Sequence, residues 1–195
     1  MKAHPRFPRS IGFLLAMTVL CGLAYPALVT AVAGLAFPWR SGGSQMRVDG
    51  VVRGSYLLAQ DFSSPRFFRS RPSAAGYAAV GAGASNLGPT SADLAAAVEG
   101  RRAAWLRSFG PPVPEEMLYA SASGVDPDIS LGAALAQVGP VASARHLDRW
   151  AEDRLADAAR RAASSRGSLL DPPVVNVVAL NALLESDPAF GGKRR

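Results

Sequence analysis

The side chains best suited to chemistry are few and scattered along this chain. It contains two histidines, His4 and His146, and one cysteine, Cys21. A zinc site needs several converging ligands, and a Ser-His-Asp set would have to recruit His146 without a nucleophile-elbow motif. Because His146 stands beside Arg145 and Asp148, we predict that it is an exposed residue on a helix. We therefore predict no catalytic residue, no metal site and no covalently bound cofactor.

The glycine-rich residues 81–86, GAGASN, are the nearest approach to a phosphate-binding loop. A helix is predicted to follow them, and the backbone N–H groups at a helix N-terminus can bind an anion. However, the chain has no G-x-x-x-x-G-K-[ST] motif, no basic residue follows at the required position, and Pro89 removes one N–H donor. We therefore favour a tight structural loop over an anion site.

Residues 120–130, ASASGVDPDIS, concentrate hydroxyl and carboxylate side chains. Serine, aspartate and glycine suit turns and caps, so in one interpretation Asp126 or Asp128 accepts hydrogen bonds from backbone N–H groups. In the other, the carboxylates attract a hydrated cation near a pore mouth. We favour the first interpretation.

Polar residues in irregular segments are the candidates for contact with a partner, because function concentrates in such segments. We select four of them: Arg71, Ser85, Asn86 and Asp126. The alternative for all four is that they only cap and brace their own loops.

The largest element that positions these residues is residues 11–37, a stretch of 27 residues without a charged side chain. At about 1.5 Å per residue, a helix of that length crosses the roughly 30 Å hydrocarbon core with some tilt. Trp39 and Arg40 follow it, and aromatic and basic residues are typical of a membrane interface. We predict a single transmembrane helix over residues 11–37.

A cleaved secretory signal is the alternative interpretation of the same stretch. Lys2, Arg6 and Arg9 form a basic leader, and Ala31-Val32-Ala33 is an acceptable cleavage site. The alternative product is a secreted ligand-binding or hydrolytic domain released after Ala33. We favour a retained anchor, because the apolar run exceeds the usual signal core of about 7–15 residues.

Charge predicts the orientation and the remaining boundaries. Three basic residues and no acid precede the span, so the positive-inside rule makes residues 1–10 a basic cytoplasmic tail. Outside the cytoplasm we then expect a connector over 38–50, one α/β (α+β) domain over 51–187 and a flexible tail over 188–195. The net charge is +6, half of it in the first ten residues, and no basic stripe interleaves with aromatics. We therefore predict no nucleic-acid partner.

The span also carries residues suited to helix packing. Gly22 and Pro26 interrupt it, and Pro26 should kink the helix near Gly22. Ala27, Ala31 and Gly34 lie near one face, where small side chains let another helix approach closely. The alternative is that small residues are simply common in membrane helices.

Helix signals in the domain are clear at three places. Thr90 is a predicted N-cap, and Ser130 is predicted to begin a second helix that stops at Gly139-Pro140. The strongest amphipathic pattern covers residues 141–163, with Trp150 on its apolar face.

Taken in order, these stretches resemble the C subunit of the Kdp potassium-transporting ATPase over roughly residues 10–185. The most specific segment is residues 83–90, GASNLGPT, and others agree in order along the chain: residues 22–26, 54–62, 71–74, 120–130, 175–177 and 180–181. Ala59, Ala84 and Asp128 depart from the family pattern, which more often has Gly, Gly and His at these positions.

The resemblance implies a non-catalytic subunit of an ATP-driven potassium importer in the bacterial inner membrane. The partners that it implies are a potassium-channel-like subunit and a P-type ATPase subunit, with a further small membrane subunit as an additional candidate. ATP is implied only through the family, which is described as a catalytic chaperone that raises the ATP affinity of the hydrolysing subunit. We therefore expect a required role in assembly.

Overall fold

The computed structural model describes residues 6–48, 50–164 and 172–191. The chain divides into two compact units, one up to Gln45 and one from Met46 onward. His4, Lys2 and the predicted tail beyond Gly191 lie outside the described residues. The predicted architecture, one apolar N-terminal helix followed by a mixed helix and strand domain, is confirmed.

The first unit is built around a long apolar helix. Helix α1 covers Arg6–Val19, a π-helical turn covers Leu20–Ala24, and helix α2 covers Tyr25–Ala36. The segment from Arg9 to Ala36, 28 residues with a mean hydropathy of 2.0, is long and apolar enough to cross a membrane. The π-helical turn ends two residues before Pro26, which cannot donate a backbone hydrogen bond, and Tyr25 N–H bonds the Leu20 carbonyl five residues back. A π-helical turn therefore lies at Gly22, the position near which the sequence predicts a kink.

The second unit mixes short strands with four longer helices. A helical turn, α3 (Pro38–Ser41), precedes it, and its own elements are β1 (Gln45–Val48), β2 (Val51–Ser55), α4 (Ala92–Phe109), β3 (Asp128–Ser130), α5 (Leu131–Ala144), α6 (Arg149–Ala162), β4 (Val174–Asn176) and α7 (Val177–Ser186). Residues 56–91 form a long segment without helix or strand. The glycine-rich loop predicted within it is confirmed as irregular.

The core lies between the helices and a small antiparallel sheet. Strands β3 and β4 pair with Ile129 opposite Val175, and both side chains are buried. Leu155 on α6 and Leu184 on α7 belong to the same buried cluster. Burying side chains of this size contributes roughly 1.5–3 kcal/mol each, so this cluster stabilises the folded domain substantially.

The helix starts follow side-chain capping. Ser130 accepts a hydrogen bond from Ala133 N–H at 3.1 Å, as predicted. The predicted Thr90 cap is wrong by one residue, because Ser91 accepts the bond from Leu94 N–H. Either hydroxyl can serve as an N-cap acceptor, so local chemistry does not choose between these neighbours.

Helix α5 does not stop at Pro140, contrary to the prediction. It continues to Ala144, although an interior proline costs about 3 kcal/mol. Val138, Val141 and Ala142 are all buried on this helix, so the face that packs into the core continues past the proline. Burial of these side chains offsets the lost hydrogen bond.

The predicted amphipathic segment over residues 141–163 is two helices rather than one. Between them His146 is exposed and lies in a turn with a left-handed φ of +57°, so it does not lie on a helix. Trp150 is 63% exposed, so its predicted place on the apolar face is wrong. Its ring instead lies 4.8 Å from the Arg154 guanidinium.

The folded domain extends beyond the predicted boundary at residue 187. A 3₁₀ turn covers Pro188–Phe190, and Phe190 is buried in the core. The Asp187 carboxylate caps this turn by accepting the Ala189 N–H at 2.9 Å. The tail therefore contributes a core residue before the described chain ends at Gly191.

Replacing Gly100 in α4 with alanine is expected to raise the free energy of unfolding by about 0.5–1 kcal/mol. An added Cβ meets nothing within 4 Å there. Gly110 ends the same helix with a φ of +70°, so Gly110→Ala is the control and is expected to lower stability by about 1 kcal/mol or more. Chemical unfolding of the full chain in detergent measures both, and shifts of the same sign would contradict the prediction.

Candidate functional site

The structure brings two of the four predicted contact residues together. Arg71 Nη1 lies 3.8 Å from Asp126 Oδ2, and their side chains are 28% and 26% exposed. Arg71 also borders three adjoining depressions, the largest with a volume of about 650 Å³. That depression, the Arg71 cleft, is lined by Tyr56, Leu57, Arg71, Ala122, Ser123, Val125, Asp126, Pro127, Asp128 and Asn176. Its lining residues include one cation, two carboxylates, two hydroxyl groups and one side-chain amide.

Carboxylate side chains accept hydrogen bonds from backbone N–H groups along the edge of β3. Asp126 Oδ1 accepts a hydrogen bond from Asp128 N–H at 3.2 Å, and Glu116 Oε1 accepts one from Ser130 N–H at 2.9 Å. Asp126 therefore accepts a hydrogen bond from a backbone N–H group, as in the interpretation favoured from the sequence. It also pairs with Arg71. Because side chains satisfy these donors, the strand edge is protected against pairing with another strand.

Asn176 joins two other lining residues of the cleft, Tyr56 and Asp128. Its Nδ2 donates to Asp128 Oδ1 at 2.9 Å and to the Tyr56 carbonyl at 2.8 Å. Its Oδ1 accepts from Ala179 N–H and caps α7. One side chain therefore holds Asp128, one of the three residues that depart from the family pattern, against the segment after β2.

Ser85 and Asn86 do not enter the Arg71 cleft. Both are exposed, and Asn86 has a left-handed φ of 54°. Their loop instead contacts the Asp126 turn through glycines, because a Cβ on Gly124 would lie 2.7 Å from the Gly83 carbonyl oxygen. The four candidates therefore lie on two surfaces that meet at a backbone contact.

Gly124→Ala is expected to lower the free energy of unfolding by about 2 kcal/mol, because a left-handed φ and a backbone collision both oppose the new Cβ. Its φ is +72°, and the nearest atoms belong to the Gly83 backbone and Ala75. Gly81→Ala is the matched control, with a φ of +83° and no atom within 4 Å, and is expected to cost about 1 kcal/mol. Equal losses in chemical unfolding would show that the contact with Gly83 contributes nothing.

Three buried polar side chains position the segment before Arg71. The Asn181 amide accepts from Phe68 N–H and donates to the Phe68 carbonyl, both at 2.9 Å. The Gln137 amide makes the same pair of bonds with Arg69, at 2.7 and 3.1 Å. We call these two residues, together with Arg145, the peptide clamp.

Arg145 completes the clamp with a side chain that is 0% exposed. Its guanidinium donates to the carbonyls of Arg66, Leu184 and Phe190 at 2.7–3.2 Å and to Glu185 Oε1 at 2.7 Å. Sequence reasoning missed all three clamp residues, because charged and amide side chains in helices are typical of solvated faces. The only signal was Asn181 within a stretch shared with the Kdp family.

The predicted membrane-packing residues lie on an unburied helix. None of the best apolar window of the span is buried within the chain. Gly22 lies in the π-helical turn, while Pro26, Ala27, Ala31 and Gly34 lie in α2. The spacing of four and three residues between the last three places them on one face of α2, which is open to another helix.

The similarity to known proteins extends over both units of the chain. The family model described as KdpC, the c chain of K⁺-transporting ATPase, matches residues 7–186. The chain belongs to the KdpC family. The match extends from the apolar helix through the peptide clamp, so it covers nearly every residue discussed above.

Individual KdpC relatives agree over almost their full length. A potassium-transporting ATPase KdpC subunit from Methylobacterium nodulans is 45% identical over 189 residues, covering 87% of this chain and 91% of the relative. One from Pseudomonas putida is 43% identical over 186 residues, covering 95% and 98%. One from Cereibacter sphaeroides is 40% identical over 194 residues, again covering 95% and 98%. The family resemblance predicted from the ordered motifs is therefore confirmed.

Proposed function

We propose that the chain is a non-catalytic subunit of a potassium-transporting ATPase and is required for assembly of the complex. One observation carries the proposal: the match to KdpC covers the apolar helix and the domain together. The helix leaves its apolar side chains exposed within the chain, and such a surface needs lipid or other helices to cover it. A partner helix fits the face of Ala27, Ala31 and Gly34.

In the proposed topology the helix remains in the bacterial inner membrane as a single pass. The basic residues in front of the span, Lys2, Arg6 and Arg9, keep the N-terminus in the cytoplasm. The domain that follows the helix then lies outside the cytoplasm. Labelling of a cysteine introduced at exposed Ser186 in intact cells tests this orientation, and modification only after lysis would contradict it.

The proposed partners are a potassium-channel-like subunit, a P-type ATPase subunit and a further small membrane subunit. Arg71 and Asp126 at the cleft, and Ser85 and Asn86 on the exposed loop, supply polar groups for these contacts. An effect on ATP affinity, which the family description implies, would reach the ATP-hydrolysing subunit through such contacts, because the proposed topology separates this domain from cytoplasmic ATP.

The decisive experiment expresses the complex with and without this chain and measures assembly and potassium-stimulated ATPase activity at limiting and saturating ATP. We expect incomplete assembly without it, and a raised KM for ATP in any residual complex. Ala31→Leu and Gly34→Leu add bulk to the packing face, whereas Val29→Leu adds bulk on the opposite side of α2. If assembly and activity persist without the chain, a required role is excluded.

The secreted alternative makes a different prediction for the mature chain. A signal sequence near the N-terminus has the same apolar character as this span. Intact-mass measurement of detergent-extracted membranes separates the two: the proposal expects the complete N-terminus, while release after Ala33 removes about the first 33 residues.

A further inference from the structure

The longest uncharged run outside the apolar helix lies on the surface of the domain. No charged side chain occurs between Arg71 and Asp93, a run of 21 residues, although charged residues make up 18% of the chain and would number about four at that frequency. In the next longest run, residues 129–144, apolar side chains pack into the core. By contrast, every residue from 78 to 90 except Gly83 is exposed. We call residues 78–90 the uncharged loop.

The uncharged loop exposes apolar side chains as well as small ones. Val80 is 95% exposed and Leu87 is 38% exposed, and alanine and glycine make up most of the residues between them. The centre of a protein interface is depleted of charged residues. The composition of the loop is therefore typical of a surface that another protein covers.

The fold holds the base of the loop in place. The Ser73 hydroxyl oxygen accepts from the N–H groups of Ala75 and Tyr77 at 3.1 and 2.9 Å, and the Tyr77 hydroxyl donates to the Arg71 carbonyl at 3.1 Å. Gly83 in turn lies against Gly124. A segment that is already positioned loses less conformational entropy when it binds, which favours association.

The backbone of the loop has hydrogen-bond donors to spare. Within the described chain, no N–H group of residues 79–90 donates a hydrogen bond, whereas Ala78 N–H donates to the Ala75 carbonyl at 3.1 Å and Ser91 N–H to the Gly88 carbonyl at 3.0 Å. An N–H group that loses water without gaining an acceptor costs free energy. Any surface that covers the loop must therefore supply acceptors.

We propose that the uncharged loop docks on a partner subunit, against a surface that is uncharged, offers carbonyl or hydroxyl oxygens as acceptors and has a recess for the Val80 side chain. The inference rests on the proposed function and names the surface through which the domain takes part in assembly. A charged partner surface is disfavoured, because the loop offers no opposite charge to compensate for its lost hydration.

A bilayer is a poor occupant for the same loop. Unpaired backbone N–H groups cost several kcal/mol each in hydrocarbon. Segments that lie at a membrane interface carry aromatic and basic residues, and residues 78–90 contain neither. A protein surface satisfies the backbone donors that lipid tails leave unpaired.

Photo-crosslinking in intact membranes tests the contact, with p-benzoylphenylalanine in place of Val80 in the full chain of the assembled complex. We expect a crosslink to one partner subunit, within a stretch of that subunit that has no charged residue. The same probe in place of Val51, which is 52% exposed on β2, is the control and should not reach that stretch. A crosslink to lipid or to a second copy of this chain would overturn the proposal, and so would no crosslink in an assembled complex.

Competition between chains measures the contribution of the loop. Wild-type and variant chains are expressed together with the partner subunits, and mass spectrometry gives their ratio in the purified complex. We expect Val80→Asp to be incorporated about a hundredfold less than wild type, because docking buries an unpaired charge. Val80→Ala is expected to be incorporated about tenfold less, because it loses apolar contact area.

Folding and general effects of charge are controlled separately. Val80 is 95% exposed, so neither variant should lower the unfolding midpoint of the full chain. Val51→Asp places the same charge outside the loop and should be incorporated like wild type, and an equal loss there would overturn the assignment to the loop. If Val80→Asp enters the complex as well as wild type, the docking proposal is wrong. If neither chain enters the complex, the proposed function itself fails.

Discussion

Arg145→Met is expected to lower the free energy of unfolding by about 4 kcal/mol. The methionine fills much of the space of the arginine stem but donates no hydrogen bond. The carbonyls of Leu184 and Phe190 then stay buried without their donor, and the part-buried carbonyl of Arg66 loses its bond as well. These groups come from residue 66 and from residues 184–190, so the loss affects two distant parts of the chain and not one loop.

The size of the effect follows from competing terms. Hydrogen bonds to a charged donor contribute about 1.5–3 kcal/mol each, and the three to carbonyls are lost together with the weaker, exposed one to Glu185. Methionine relieves the desolvation penalty of a guanidinium that is 0% exposed, which offsets part of that loss. The Arg145 guanidinium also lies 5.1 Å from the centre of the Phe67 ring, a contact that contributes about 1 kcal/mol.

Glu185→Gln distinguishes the carbonyl bonds from the ion pair. Glu185 is 56% exposed, so weakening its charge should cost less than about 1 kcal/mol. Chemical unfolding of both variants in detergent provides the comparison. Should Glu185→Gln cost as much as Arg145→Met, the stabilisation would come from the ion pair, and our assignment to the three carbonyls would be wrong.

The sequence predicts the apolar helix well because the bilayer sets a condition on one continuous stretch of the chain and not on its tertiary contacts. A span needs only length and the absence of charge, and residues 11–37 meet both conditions. Ser130 was predictable for a related reason, since an N-cap bond joins residues three positions apart. Local rules succeed wherever the partners are local.

Pro140 shows where local rules fail. The proline predicts a helix end, but the side chains on both sides of it are buried in the same core. That burial outweighs the local cost, and periodicity gives no measure of it. The wrong prediction for Trp150 has a related cause. An aromatic residue within an amphipathic pattern predicts a core position, but here the ring packs on Arg154 at the surface.

The candidate site was predictable only in part. Arg71 and Asp126 were selected separately, and the structure brings them to one cleft. Ser85 and Asn86 were selected for the same reasons and stay outside it. The peptide clamp could not be predicted from the sequence, because Gln137 and Asn181 bond backbone groups 68 and 113 positions away. No periodic pattern encodes such a partner.

Asn181→Leu is expected to lower the free energy of unfolding by about 3–4 kcal/mol. Leucine nearly matches the shape of the amide but offers neither donor nor acceptor to Phe68. Phe68 and Asn181 are both buried, so Phe68 N–H and C=O lose their partner without gaining water. Each orphaned backbone group costs about 1–3 kcal/mol, and the apolar side chain recovers little because the site is already filled.

Gln60→Leu provides the comparison, since its amide also donates to a backbone carbonyl, that of Arg53 at 2.9 Å, but in an exposed position. It should cost less than about 1 kcal/mol, because water can replace the bond. Hydrogen exchange adds a local readout: Asn181→Leu should accelerate exchange at the Phe68 amide more than at the Arg69 amide, which Gln137 still holds. Equal acceleration at both amides would mean that the clamp opens as a unit, and unchanged stability would show that the buried amide bond contributes nothing to the fold.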